Sequence, residues 1–213
     1  MNYSKTIREY CLQNPGMIFD MSYEHKKHFE MVPYRTFCKI LNRIEEEGII
    51  RTYSKGIYII NADNMTEDPV IAFYASKGVG MVVGYYMYNK LGITEHNEKP
   101  IVIYTSAMET TTKNIGDDYK LIYLDLYYSS AIVELITCLE LIEKRNKIIG
   151  IDLYKTNEII IKYLKDYHDN ELECILSKHK YQYATIVTLD EMLGHLKIKN
   201  TALQIALKYY KHE

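Results

Sequence analysis

The stretch from Met31 to Ile60 constrains the fold of this chain more than any other. Phe37, Ile40, Leu41 and Ile44 recur at the three-and-four spacing of a single helix face. Arg35, Lys39 and Arg43 recur every four residues on the opposite face. Pro33 stands where a first helical residue belongs, and Gly48 where a left-handed cap ends a helix. Residues 49–53 and 57–60 then flank Ser54-Lys55-Gly56, the pattern of a two-strand hairpin with a lysine at its tip. A helix with one apolar and one basic face, followed at once by a basic-tipped hairpin, predicts the recognition helix and wing of a winged helix-turn-helix.

The flanking segments fit that order. Residues 4–13 read as a first helix with Ile7, Tyr10, Cys11 and Leu12 inward, stopped by Asn14-Pro15-Gly16. Met17-Ile18-Phe19 is a short apolar run suited to pairing with the hairpin, and residues 23–29 read as a polar helix carrying Lys26 and Lys27. Asn61-Ala62-Asp63-Asn64 reads as a polar linker. After it, Glu67-Asp68-Pro69 opens a helix to about residue 76. Lys77-Gly78-Val79-Gly80 reads as a turn, Met81-Val82-Val83 as a short apolar run, and residues 84–91 as a helix stopped by Gly92. Residues 101–104 and 119–126 read as strands, Asp117-Asp118 as a hairpin turn, and residues 131–144 as a helix with Leu135, Ile136, Leu139 and Ile142 inward. From Thr156 onward only helices are expected: 157–167, 171–179, a segment opened by the capping box Thr188-x-x-Glu191, and 202–211. The expected fold class is α+β. An N-terminal winged helix-turn-helix domain spans residues 1–63, and a mixed α/β domain with a helical C-terminal half spans residues 64–213.

Composition narrows the function classes. The net charge of -2 removes any global pull toward nucleic acid, so contact with DNA has to be local. Up to Asp63 there are nine basic against eight acidic residues, and seventeen against twenty thereafter, a weak bias toward an N-terminal contact. The four cysteines, Cys11, Cys38, Cys138 and Cys174, have no paired spacing, so neither a zinc site nor a disulfide framework is expected. No apolar run is long enough to span a bilayer and the opening residues do not read as a secretory signal, so the expected location is the cytoplasm, away from membranes.

In a DNA-reading helix the side chains near the N-terminus meet base edges, here Tyr34, Arg35, Thr36 and Lys39. Arg43, Arg51 and Lys55 are placed for phosphates, which orient the protein without specifying sequence. Glu45, Glu46 and Glu47 work against this unless that end of the helix points out of the groove. The seven histidines are scattered, and His25 and His28, three apart, lack a Cys or acidic partner, so no metal is expected. No nucleophile–base spacing is present, and the chain is not expected to be an enzyme or to carry a cofactor. One decoy is Ala75-Ser76-Lys77-Gly78-Val79-Gly80, which looks like the nucleotide turn of short-chain dehydrogenases; Tyr74 holds the position that needs the first glycine.

The motifs Phe37-Cys38-Lys39-Ile40-Leu41-Asn42-Arg43-Ile44, Glu47-Gly48-Ile49-Ile50-Arg51 and Lys55-Gly56-Ile57-Tyr58 resemble the AbiEi-like antitoxins of bacterial abortive-infection toxin–antitoxin systems. Residues 84–91, Gly92-Ile93-Thr94 and the strand from Ile101 resemble that family's following segment, and the likeness extends to about Leu126. The resemblance implies an antitoxin that represses its own operon through double-stranded operator DNA and counters a nucleotidyltransferase-type toxin, with direct contact to the toxin left open. The other reading is a stand-alone winged-helix transcriptional regulator whose C-terminal domain senses a ligand or dimerises.

Overall fold

The computed structural model describes residues 2–62 and 67–210. Those residues form ten helices and two small sheets. The polar linker falls partly outside them, at Asp63 and Asn64, and so does Lys211 at the end of the last expected helix.

The first half runs α1 (Tyr3–Gln13), β1 (Ile18–Asp20), α2 (Met21–His28), α3 (Tyr34–Glu46), β2 (Ile50–Ser54) and β3 (Ile57–Ile60). The three strands pair antiparallel in the order β1-β3-β2, so the short run after α1 closes onto the hairpin as its apolar character requires. Pro33 is the N-cap of α3 rather than its first residue: its carbonyl accepts from Thr36 N and Phe37 N, starting the helix one position later than its ring suggested. Gly48 follows the helix at φ 73°, and Gly56 turns the hairpin at the same φ. One face of the sheet, with Phe19, Ile50 and Ile60, packs on Ile7, Cys11, Phe37, Leu41 and Ile44 from α1 and α3, whereas Leu12, expected inward, follows Cys11 around the helix to the solvent side and is 60% exposed.

The second half opens with α4 (Pro69–Tyr74), whose Asp68 cap accepts from Val70 N and Ile71 N. Next come β4 (Gly80–Val83), α5 (Tyr85–Lys90), β5 (Ile101–Thr105), β6 (Thr112–Ile115) and β7 (Tyr119–Tyr123). Their order is β4-β5-β7-β6, with β5 and β7 parallel and both outer pairs antiparallel. Helix, turn, strand is the order around Gly78 and Gly80, the reverse of the strand, loop, helix that a dinucleotide cradle needs, so the dehydrogenase likeness fails. Gly80 is required for another reason: a Cβ there would lie 2.1 Å from the Tyr74 carbonyl oxygen and 2.5 Å from that of Tyr104.

The C-terminal half is helical: α6 (Ser130–Lys144), α7 (Leu153–Leu164), α8 (Asp169–Leu176), α9 (Tyr183–His195) and α10 (Ala202–Tyr210). Every residue of α6 from Leu135 to Ile142 is buried, the mark of a helix enclosed by others; α7, α8 and α9 all pack on it. The helix expected to open at Thr188 begins five residues earlier. Its start is satisfied from α6, where Glu143 Oε2 accepts from Gln182 N (2.8 Å) and Thr185 Oγ1 (3.1 Å), so no local capping box was needed.

The two halves share a core. The other face of the first sheet, Ile18, Ile57 and Ile59, packs with Val70 and Tyr74 of α4 and with Ile103 and Leu121 of the second sheet. At this seam Asp20, 1% exposed, accepts from Tyr74 Oη (2.6 Å) and pairs with Lys113 Nζ (2.8 Å), while its other oxygen caps α2. No helix among the described residues is long and apolar enough to cross a membrane.

Candidate nucleic-acid interface

Helix α3 buries Phe37, Ile40, Leu41 and Ile44 and turns its opposite side to solvent. Tyr34, Arg35, Thr36, Lys39 and Arg43 are all exposed. Arg35, Lys39 and Arg43 form no salt bridge with any described residue. The helix also begins without a side-chain cap and without an acid in its first turn, so the N–H groups of Tyr34 and Arg35 have no side-chain acceptor and no carboxylate offsets the positive end of its dipole. Tyr34, Arg35, Thr36 and Lys39 therefore surround the positive start of the helix, while Arg43 lies on the same exposed side in its last turn.

That end is held rigidly. His25 Nε2 donates to the Val32 carbonyl (2.7 Å), and its ring meets the edges of Tyr34 and Phe37 at 5.1 and 4.9 Å. The turn from α2 into α3 is thus fixed by one imidazole. Lys26 is drawn away to Glu109 of the second half, and Lys27 to the Tyr23 hydroxyl.

The three glutamates at the far end of α3 are largely spent on internal bonds. Glu45 Oε1 accepts from Thr52 N (2.9 Å) and Oγ1 (2.6 Å), clamping the helix to the edge strand β2. Glu47 pairs with Arg8 of α1 at 2.6 Å. Only Glu46 stays in the outward stripe, eleven residues from Arg35, which is about 16 Å along the axis at the α-helical rise. The charge conflict read in the sequence is therefore reduced by pairing at Glu45 and Glu47 and, for Arg35 at the helix start, by distance, while Glu46 remains three residues from Arg43. Neither partner, Arg8 nor Thr52, was legible beforehand, because both contacts depend on the tertiary fold.

The hairpin separates its two cations. Lys55 sits exposed in the turn between β2 and β3. Arg51 is in register with Ile59, whose side chain belongs to the face turned to the second half, so Arg51 projects from the sheet face opposite α3. Of the seven sequence-derived residues, five lie on α3, one at the hairpin tip, and Arg51 stands apart. Among the described residues no three His, Cys, Asp or Glu side chains gather as metal ligands would, and all four cysteines are free thiols. A scan against protein-family models finds no match for the chain, and a search of curated proteins finds no significant relative.

Proposed function

We propose that the first half is a winged helix-turn-helix that binds operator DNA, and that the chain is an AbiEi-like antitoxin, repressing its own operon and countering a nucleotidyltransferase-type toxin. The observation that carries the DNA reading is the unpaired positive end of α3. A strand order of β1-β3-β2 behind two helices and a presented third supports it, since that arrangement offers one helix to a major groove and a hairpin tip to the adjacent backbone. The antitoxin reading rests on the motif likeness from Phe37 to Tyr58 and from Gly84 to Thr105.

Arg35 would read a base edge and Lys55 a phosphate. Arg35→Ala should cost about 1–3 kcal/mol on the chain's own upstream region and relax sequence preference. Lys55→Ala should weaken binding to all sequences alike and lower the salt slope by about one phosphate contact. Arg51→Ala, on the other sheet face, should change neither. Fluorescence anisotropy over a salt series separates these outcomes, and equal affinity of wild type and Arg35→Ala would remove the groove assignment. Co-expression with the neighbouring gene, scored by growth rescue, tests the antitoxin reading separately. A neighbour that is not toxic, or that this chain does not rescue, rejects it.

A further inference from the structure

A cavity of about 260 Å³ lies in the second half, remote from α3, between β5, α5, α6 and the loop after α6. Tyr85, Tyr88, Tyr104, Glu140, Lys144 and Lys147 are among the residues that line it, and most of its wall is apolar. Glu140 is 5% exposed and sits on a helix enclosed by others, where a carboxyl group is costly to keep without a role. Its Oε1 accepts from Tyr104 Oη (3.1 Å) and Tyr181 Oη (3.2 Å). Glu140 Oε2 has no hydrogen bond among the described residues, and neither has the hydroxyl of Tyr88, a residue 3% exposed. Both atoms still reach accessible surface, since the sealed unpartnered oxygens of the described residues are those of Tyr128 and Glu171. Burial is the largest influence on the Glu140 carboxyl group and raises it above the ordinary carboxylate range, with the Tyr104 hydroxyl, Lys144 and the Tyr181 hydroxyl acting the other way.

The geometry points to a nucleotide site, with an amine-bearing base among the tyrosines, its exocyclic amine on Glu140 Oε2, and its phosphate on Lys144 and Lys147. Three tyrosines in the lining, with Tyr85 and Tyr88 edge to face at 75°, favour a planar ring, because a base stacks on tyrosine whatever its identity. One open acceptor and one open hydroxyl at a buried wall then select a ring that carries both donors and acceptors on its edge. The lysines exclude a simple organic cation, which would otherwise suit tyrosines around a carboxylate. Lys144 is held by Glu143 at 3.0 Å, whereas Lys147 is exposed and forms no ion pair among the described residues. The volume lies just under the range of about 300–1,000 Å³ usual for small-molecule sites, enough for the base while the phosphate stays at the mouth. This inference does not depend on the DNA reading.

The test is calorimetric titration of the full chain with AMP, GMP, CMP and UMP, and with adenosine. At least one of AMP, GMP and CMP should bind tenfold or more tighter than UMP, whose base has no exocyclic amine. Adenosine should bind about tenfold more weakly than AMP, and Lys147→Ala should weaken AMP several-fold toward the level of adenosine, Lys144 remaining. Glu140→Gln should erase the preference over UMP. Because that variant alters a buried network, Tyr88→Phe is the second probe: it keeps the ring and removes only the free hydroxyl, and should weaken AMP several-fold. No binding of any of the four nucleotides to the folded protein overturns the proposal, as does binding that Lys147→Ala and Tyr88→Phe leave unchanged.

Discussion

At the scale of single residues, the chain keeps two acids buried near the seam and treats them differently. Asp20 is matched by a cation, a hydroxyl and backbone N–H groups. Glu24, 2% exposed on α2, has only the Tyr10 hydroxyl at 2.8 Å and the His28 imidazole at 3.9 Å. Burial is the largest influence on it and pushes its carboxyl group from the ordinary 4.5 to about 7. A folded-state value above the unfolded one means that the folded chain holds an extra proton between those limits. Stability from this group is therefore full below about pH 4.5 and falls as pH rises to 7, by on the order of 3 kcal/mol. Glu24→Gln keeps an acceptor for Tyr10 and removes the charge. Urea unfolding of both proteins at pH 5 and pH 8 should show the variant gaining on wild type at the higher pH; an equal gap at both would refute the burial argument. The apolar and basic stripes of α3 were legible residue by residue because both repeat at the helical period. Glu24 and Asp20 were not, because an acid in a polar helix or at a strand end looks like surface until the second half covers it.

At the scale of elements, legibility followed how locally each is determined. Helices α1, α3 and α6 carry periodic apolar faces, and the first hairpin carries its own turn, so all four were readable. Strand β6 was missed because it lies at the sheet edge and buries only Ile115 of its four residues. The start of α9 was misplaced because its cap comes from Glu143, thirty-nine positions earlier. Glycines divide in the same way. Gly80→Ala drives a methyl group into two backbone oxygens, from Tyr74 and Tyr104, that no rotamer change can move. It should cost about 3 kcal/mol or more in denaturant unfolding. Gly194→Ala, near the end of α9 with nothing within 4 Å of the added atom, should instead stabilise by about 0.5 kcal/mol. A Gly80→Ala protein with an unchanged midpoint would contradict the close packing of β4 beneath α4.

At the scale of the whole molecule, the two halves distinguished by composition are joined by hydrocarbon rather than by a bare tether. Ile57-Tyr58-Ile59-Ile60 is apolar at every position, which is the pattern of a strand covered on both faces, and the structure shows both coverings. That signal was present in the sequence but was absorbed into the hairpin reading, which needs only one buried face. With Ile18, Ile57 and Ile59 in the same cluster as Tyr74, Ile103 and Leu121, neither half can open without exposing the other. Urea unfolding followed by far-ultraviolet circular dichroism and by tyrosine fluorescence should give coincident single transitions. Two separated transitions would mean that the seam contributes little.

The doubly covered three-stranded sheet also sets a rule for anyone who wishes to reuse the N-terminal segment. A chimera that carries residues 1–62 onto a foreign chain leaves a wall of isoleucine bare on one side and strands Asp20 without its lysine. Such a graft should precipitate unless α4 travels with it, or unless the isoleucines are recoded to polar residues and Asp20 is neutralised. The smallest transplantable piece of this molecule is therefore larger than the part that faces its proposed target.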